Sequence, residues 1–130
     1  MRSLRSALLL VAAMGGTAIA ASESAKSKAA KAHYEEGLKR YNLGEFKAAL
    51  DAFKAGYLEK ADPVFLFNLG QCYRKLGDAE NAIQEYAAYL RERPDAPNRE
   101  DVVRVVAELK QAIKSKEAGI AAAPASALAA

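Results

Sequence analysis

The stretch Asp62–Pro94, DPVFLFNLGQCYRKLGDAENAIQEYAAYLRERP, carries two apolar series at helical spacing with a break between them. Leu66, Leu69 and Tyr73, with Gly70 among them, form the first; Ala82, Ile83, Tyr86, Tyr89 and Leu90 form the second. Apolar residues recurring at three- and four-residue steps line one side of a helix, so the stretch predicts two amphipathic helices joined at Gly77-Asp78. Asp62 can accept the orphan amides at the start of the first helix, and Pro63 has no N–H to lose there. Gly77 supplies a left-handed residue that ends it, Asp78 caps the second helix, and Pro94 stops that one. Gly70 and Ala82 are small, which predicts a close approach of the helices, with Leu69, Tyr73 and Tyr86 filling the space around it.

Leu66, Leu69-Gly70, Tyr73, Gly77, Ala82, Tyr86 and Pro94 fall in the order and spacing of the tetratricopeptide repeat, a helix-turn-helix unit with a period of about 34 residues. The chain resembles that family, with Leu66 where Trp is usual. The resemblance implies an all-α fold, antiparallel helix pairs stacked into a short right-handed α-solenoid. It also implies a concave face, built from the first helix of each pair, that binds peptides or partner proteins. The carboxylate clamp known in the family is not expected, since only Asn68 matches its pattern and Glu35 stands where a Lys would.

Upstream, Ala30, Tyr34, Gly37, Leu38 and Tyr41 share one face of a predicted helix; Gly44 ends it, and Phe46, Ala49, Leu50, Phe53 and Tyr57 form the inward face of the next. Gly44, Ala49 and Phe53 lie 33 residues before Gly77, Ala82 and Tyr86, so the unit is repeated. Gly37 also lies 33 residues before Gly70, but matching apolar faces favours pairing Tyr41 with Tyr73, a shift of 32 that makes the first turn one residue shorter. On that register Tyr34 takes the Trp position and Ala61 that of the closing Pro.

Downstream, Asp95-Ala96-Pro97-Asn98 reads as a polar turn, and Asn98, Glu100 and Asp101 mark the start of a last helix. Its stripe is Val102, Val105, Val106, Leu109, Ala112 and Ile113, and Gly119 is the expected stop. Two repeats are few for a solenoid, which usually needs about three for stability. The last helix is therefore expected to cover the flank formed by Phe65, Cys72 and Leu76, with homodimerisation the alternative way to cover an exposed end.

The N-terminus has Arg2 and Arg5, an apolar run from Ala7 to Met14, and Ala18-Ile19-Ala20. This is the pattern of a secretory signal cleaved after Ala20. The alternative is an uncleaved membrane anchor, against which the apolar run is shorter than the ~17 residues a membrane span needs; after cleavage no stable membrane insertion is expected. The Ala- and Arg-rich composition is bacterial in character, and export would place the protein in the periplasm. The formal charge of +3 falls to +1 when Arg2 and Arg5 leave with the signal, which gives no basic field for nucleic acid. The expected layout is a signal at 1–20, a helical domain at 21–118 with repeats near 28–61 and 62–95 and a capping helix at 98–117, and a disordered Ala-rich tail at 119–130. The segment from Ser22 to Lys31 is expected to fray before it becomes helix.

Residues for chemistry are sparse. His33 is the only histidine and Cys72 the only cysteine, so a metal site lacks ligands and no intramolecular disulfide can form; Cys72 reads as a buried structural thiol. No phosphate loop or nucleophile motif is present, and no enzyme activity, cofactor or metal is expected. The expected partner is a protein or peptide. Its predicted surface is Val64, Phe67, Asn68, Gln71 and Lys75, which point away from the intra-repeat contact, with Glu35 and Lys39 beside them. The alternative is a structural subunit of an envelope assembly or homodimer with no free groove.

Overall fold

Residues 13–122 are described by a computed structural model, in which they form five helices: α1 (Ala13–Asn42), α2 (Phe46–Glu59), α3 (Pro63–Lys75), α4 (Ala79–Glu92) and α5 (Arg99–Ala122). Local chemistry sets most of the boundaries. Asp62 accepts from the Val64 amide at 2.9 Å, with Pro63 in the first turn of α3. Asp78 accepts from the Asn81 amide at 3.2 Å at the start of α4. Gly44 and Gly77 have φ of +75° and +77°, a region that costs a side chain about 1–2 kcal/mol, and each lies in the turn between the helices of a pair. α4 ends at Glu92, just ahead of Pro94.

The apolar residues of α3 divide between two cores. Phe65, Leu69 and Cys72 are buried with Ala30, Ala49, Leu50 and Phe53 of the first helix pair. Leu66 is buried with Ala82, Tyr86, Tyr89, Ala96 and Val102 on the other side. Tyr57 and Tyr73 touch both clusters. Each buried side chain of this size stabilises by roughly 1.5–3 kcal/mol, so α3 joins the stack by serving both cores.

The register between the repeats is 33, not 32. A Cβ on Gly37 would collide with the Phe53 ring, as a Cβ on Gly70 would with the Tyr86 ring, at 2.7 Å. The turns agree: Gly44 N–H donates to Tyr41 O and Glu45 N–H to Arg40 O, as Gly77 N–H does to Arg74 O and Asp78 N–H to Tyr73 O. Arg40 therefore corresponds to Tyr73, His33 to the position of Leu66, and the two turns are equally long. Apolar matching misled because Tyr34 and Tyr41 do not repeat the roles of Leu66 and Tyr73. Tyr34 reaches forward to Phe65 of the second repeat at 6.0 Å as well as to Phe53 at 6.1 Å, and Tyr41 packs on Phe46 at 5.2 Å.

Other expectations change. The flank covered by α5 is not that of Phe65 and Cys72, which face the first pair, and Leu76 is exposed. α5 instead places Val102, Val105, Val106 and Leu109 on the cluster around Leu66, Phe67, Tyr86 and Tyr89. Ala112 is exposed and only Ile113 continues the stripe. Gly119 does not stop α5, which runs to Ala122, because an exposed Gly with no positive φ can remain helical at a cost of about 1 kcal/mol. α1 is helical from Ala13, through Ser22–Lys31 and across Ala20; its side chains from Gly16 to Lys26 are all exposed. Residues 1–12, with Arg2 and Arg5 and much of the expected signal, and 123–130 of the expected tail lie outside the described residues.

Candidate interaction face

Alternation of direction puts α1, α3 and α5 on one side of the stack and α2 and α4 on the other. Two recesses open on the α1–α3–α5 side. One, of about 350 Å³, lies between α1 and α3, with Ala30, Tyr34, Val64 and Phe65 as apolar walls and Ser27, Lys31, Lys60 and Asp62 as polar lining. The Lys60 ammonium closes its end by donating to Ser27 Oγ at 3.4 Å. The other, about 190 Å³, lies between α3 and α5 and is lined by Phe67, Gln71, Arg74 and Tyr86 with Asn98, Asp101, Val102 and Val105.

The polar groups around the second recess are linked. The Tyr86 hydroxyl donates to Gln71 Oε1, and the Arg74 guanidinium acts on the same hydroxyl, while burial pushes the phenol up to about 12. Tyr89 donates to Asn98 Oδ1 at 2.7 Å. Asn98 accepts at its carbonyl from the Val102 amide at 3.0 Å, so its side chain serves Tyr89 while its backbone starts α5. Phe67 stacks at 5.4 Å from Tyr89 and 6.1 Å from Tyr86, which holds its ring as a wall.

The sequence-predicted surface residues are distributed along this side unevenly. Val64 lines the first recess and Phe67 and Gln71 the second. Asn68 lies between them, but its Nδ2 donates to Val64 O at 2.8 Å within its own helix. Lys75 stands apart, with its ammonium 6.0 Å from the Phe46 ring; Arg74 occupies the recess in its place. Glu35 is exposed and pairs with Lys31 at 3.7 Å, and Lys39 is exposed. Sequence reasoning missed Lys31 and Tyr34 on this face. A register of 33 would have found them, since it sets Lys31 against Val64 and Tyr34 against Phe67. It also missed Gly56, where a Cβ would collide with the Phe65 ring, so the two repeats approach as closely there as the helices within each pair.

Ala49, Phe53, Leu66, Leu69, Ala82 and Tyr86 are buried, and Tyr34, Tyr41 and Tyr73 are packed against the cores. Cys72 is fully buried, and desolvation pushes its thiol up to about 11. On the opposite side, Lys54, Tyr57, Leu58, Leu66, Leu69 and Glu85 surround an apolar dimple of about 270 Å³. No described helix is long and apolar enough to cross a membrane.

This architecture defines an antiparallel helical-repeat protein, with two pairs and a closing helix. Residues 34–97 match the tetratricopeptide repeat model, and that stretch of the chain is a tetratricopeptide-repeat region. It is also 32% identical over 79 residues to the photosystem I assembly protein Ycf3 of Synechococcus sp. (strain CC9902), covering 58% of this chain. The match spans 46% of that relative, less than half its length.

Proposed function

We propose that the protein is an exported, periplasmic adaptor that holds a protein or peptide partner on its α1–α3–α5 side, as an assembly factor in the sense of the relative's name. The observation carrying this reading is the pair of recesses on one face, each walled by aromatic and aliphatic side chains of α1, α3 or α5. Such a surface suits a segment anchored at two points. Export is supported by the Arg-led apolar N-terminus and Ala18-Ile19-Ala20. The burial pattern is compatible with it: among the described side chains of α1, those from Gly16 to Ala20 are exposed and the first partly buried one is Ser27.

The test is capture of partners from envelope extract with the full chain, expressed with its own N-terminus, and with a Lys31→Ala, Val64→Ser, Arg74→Ala variant shown to fold by circular dichroism. The expected result is a bait whose intact mass begins at Ala21 and partners that are lost from the variant. A bait beginning at Met1 would sink the export assignment. Undiminished partners would sink the face, and would favour the reading in which copies assemble through the dimple beside Leu58, which is 85% exposed.

A further inference from the structure

We propose that the α3–α5 recess is a subsite for an internal segment of a partner protein that presents an aliphatic side chain beside an acidic one. The proposal rests on the adaptor reading and names the chemistry of its partner at one place. Four of the residues that build the recess, Asn98, Asp101, Val102 and Val105, lie beyond the matched repeats at 34–97, so the closing helix shapes the subsite as well as covering a core.

Size sets the class of occupant. At about 190 Å³ the recess is smaller than the roughly 300–1,000 Å³ of small-molecule sites, but it admits one aliphatic side chain with its backbone. Phe67, Val102 and Val105 give that side chain apolar contact.

Hydrogen-bond accounting sets the polarity around it. An amide side chain has one carbonyl oxygen and one NH2 group. Tyr86 occupies the carbonyl oxygen of Gln71 and Tyr89 that of Asn98. Each oxygen keeps a second lone pair, but neither NH2 group donates to a partner among the described residues, so the larger unused capacity of the two side chains is donation, which suits the carbonyl oxygens of an extended backbone. Charge points the same way. Asp101 is held by Arg104 at 2.8 Å, whereas Arg74 forms no ion pair among the described residues. The uncompensated charge at the recess is a cation, and an acidic neighbour of the anchor complements it.

The experiment uses the full mature chain, isotope-labelled, and short N-acetylated, C-amidated peptides with a central Leu flanked by Glu, Ser or Lys. Side-chain NH2 resonances of Gln71 and Asn98 report on the subsite. Expected are shifts of both NH2 pairs with the Leu/Glu peptide, loss of binding when its Leu becomes Ala, and about tenfold weaker binding of the Leu/Lys peptide. Arg74→Glu, an exposed substitution, is expected to reverse the Glu-over-Lys preference. Shifts confined to Lys31, Tyr34 and Val64 would overturn the subsite while upholding the face. Binding only by a peptide with a free terminal carboxylate would overturn the internal-segment chemistry. Absence of any shift up to about 1 mM peptide would overturn the subsite, and the adaptor reading would then rest on the partner capture alone.

Discussion

The first and second repeats share one mechanical device and end it differently. In both, a glycine of the leading helix lets an aromatic ring of the trailing helix lie against backbone: Gly37 under Phe53, Gly70 under Tyr86. Phe53 is fully buried within an apolar cluster. Tyr86 is as deeply buried at its ring, but its hydroxyl reaches Gln71 at the edge of the α3–α5 recess. The same packing position thus serves only the core in one repeat and also orients a polar group at a surface in the other. A repeat motif specifies the close approach; the residue that fills it decides whether anything emerges on the far side.

High pH gives the largest separation between the two cores. Cys72 of the first core keeps its proton to about 11 and Tyr86 of the second to about 12, against ordinary values of 9.0 and 10.0. Between pH 9 and 11 the unfolded chain has released the thiol proton while the folded chain still binds it, so stability falls as pH rises, by roughly 2–3 kcal/mol for the thiol alone. Cys72→Ala is expected to flatten the loss between pH 9 and 10 in urea titrations, to lessen it between 10 and 11, and to leave the loss from Tyr86 that begins near pH 10. An unchanged pH profile would mean that the thiol is not desolvated as the first core requires.

A somewhat smaller effect tests what the repeats share. Gly37→Leu and Gly70→Leu are each expected to destabilise by about 1–3 kcal/mol, because the ring beneath cannot move without losing its own contacts. For a domain of this size that lowers the melting temperature by several degrees or more. A tolerated Gly37→Leu beside a damaging Gly70→Leu would return the register to 32 and remove the equivalence of the two contacts.

The smallest effect tests how the repeats differ. Tyr86→Phe removes one hydroxyl and is expected to cost about 1 kcal/mol, while freeing Gln71 to rotate. Phe53→Tyr inserts a hydroxyl at a position whose surroundings are apolar and is expected to cost about 1–3 kcal/mol. Denaturant melts decide it: a Tyr86→Phe variant as stable as the parent would deny the second repeat its polar outlet.

Much of this fold was legible because its determinants are local. Asp62-Pro63, Gly77-Asp78 and Pro94 act through hydrogen bonds and backbone angles within a turn of their own position, so they could be read without knowing the neighbours. The 33-residue recurrence of Gly44, Ala49 and Phe53 announced the second copy of the unit. The first-helix register was misread because Tyr34, Leu38 and Tyr41 imitate an inward stripe while Tyr34 also serves the next repeat. Periodicity locates an apolar face without naming what lies against it.

The amino-acid sequence by itself determined the helices, their caps, the close contacts at Gly70 and Ala82, and the tetratricopeptide-repeat region. Only the tertiary structure decided which core each side of α3 enters, that Gly56 admits Phe65, that Arg74 rather than Lys75 lines a recess, and that α5 completes that recess. The physical reason is range. Capping and helix pairing depend on residues a few positions apart, whereas a recess between α3 and α5 depends on how Tyr86 and Tyr89 of the intervening α4 pack against both, which no spacing along the chain records.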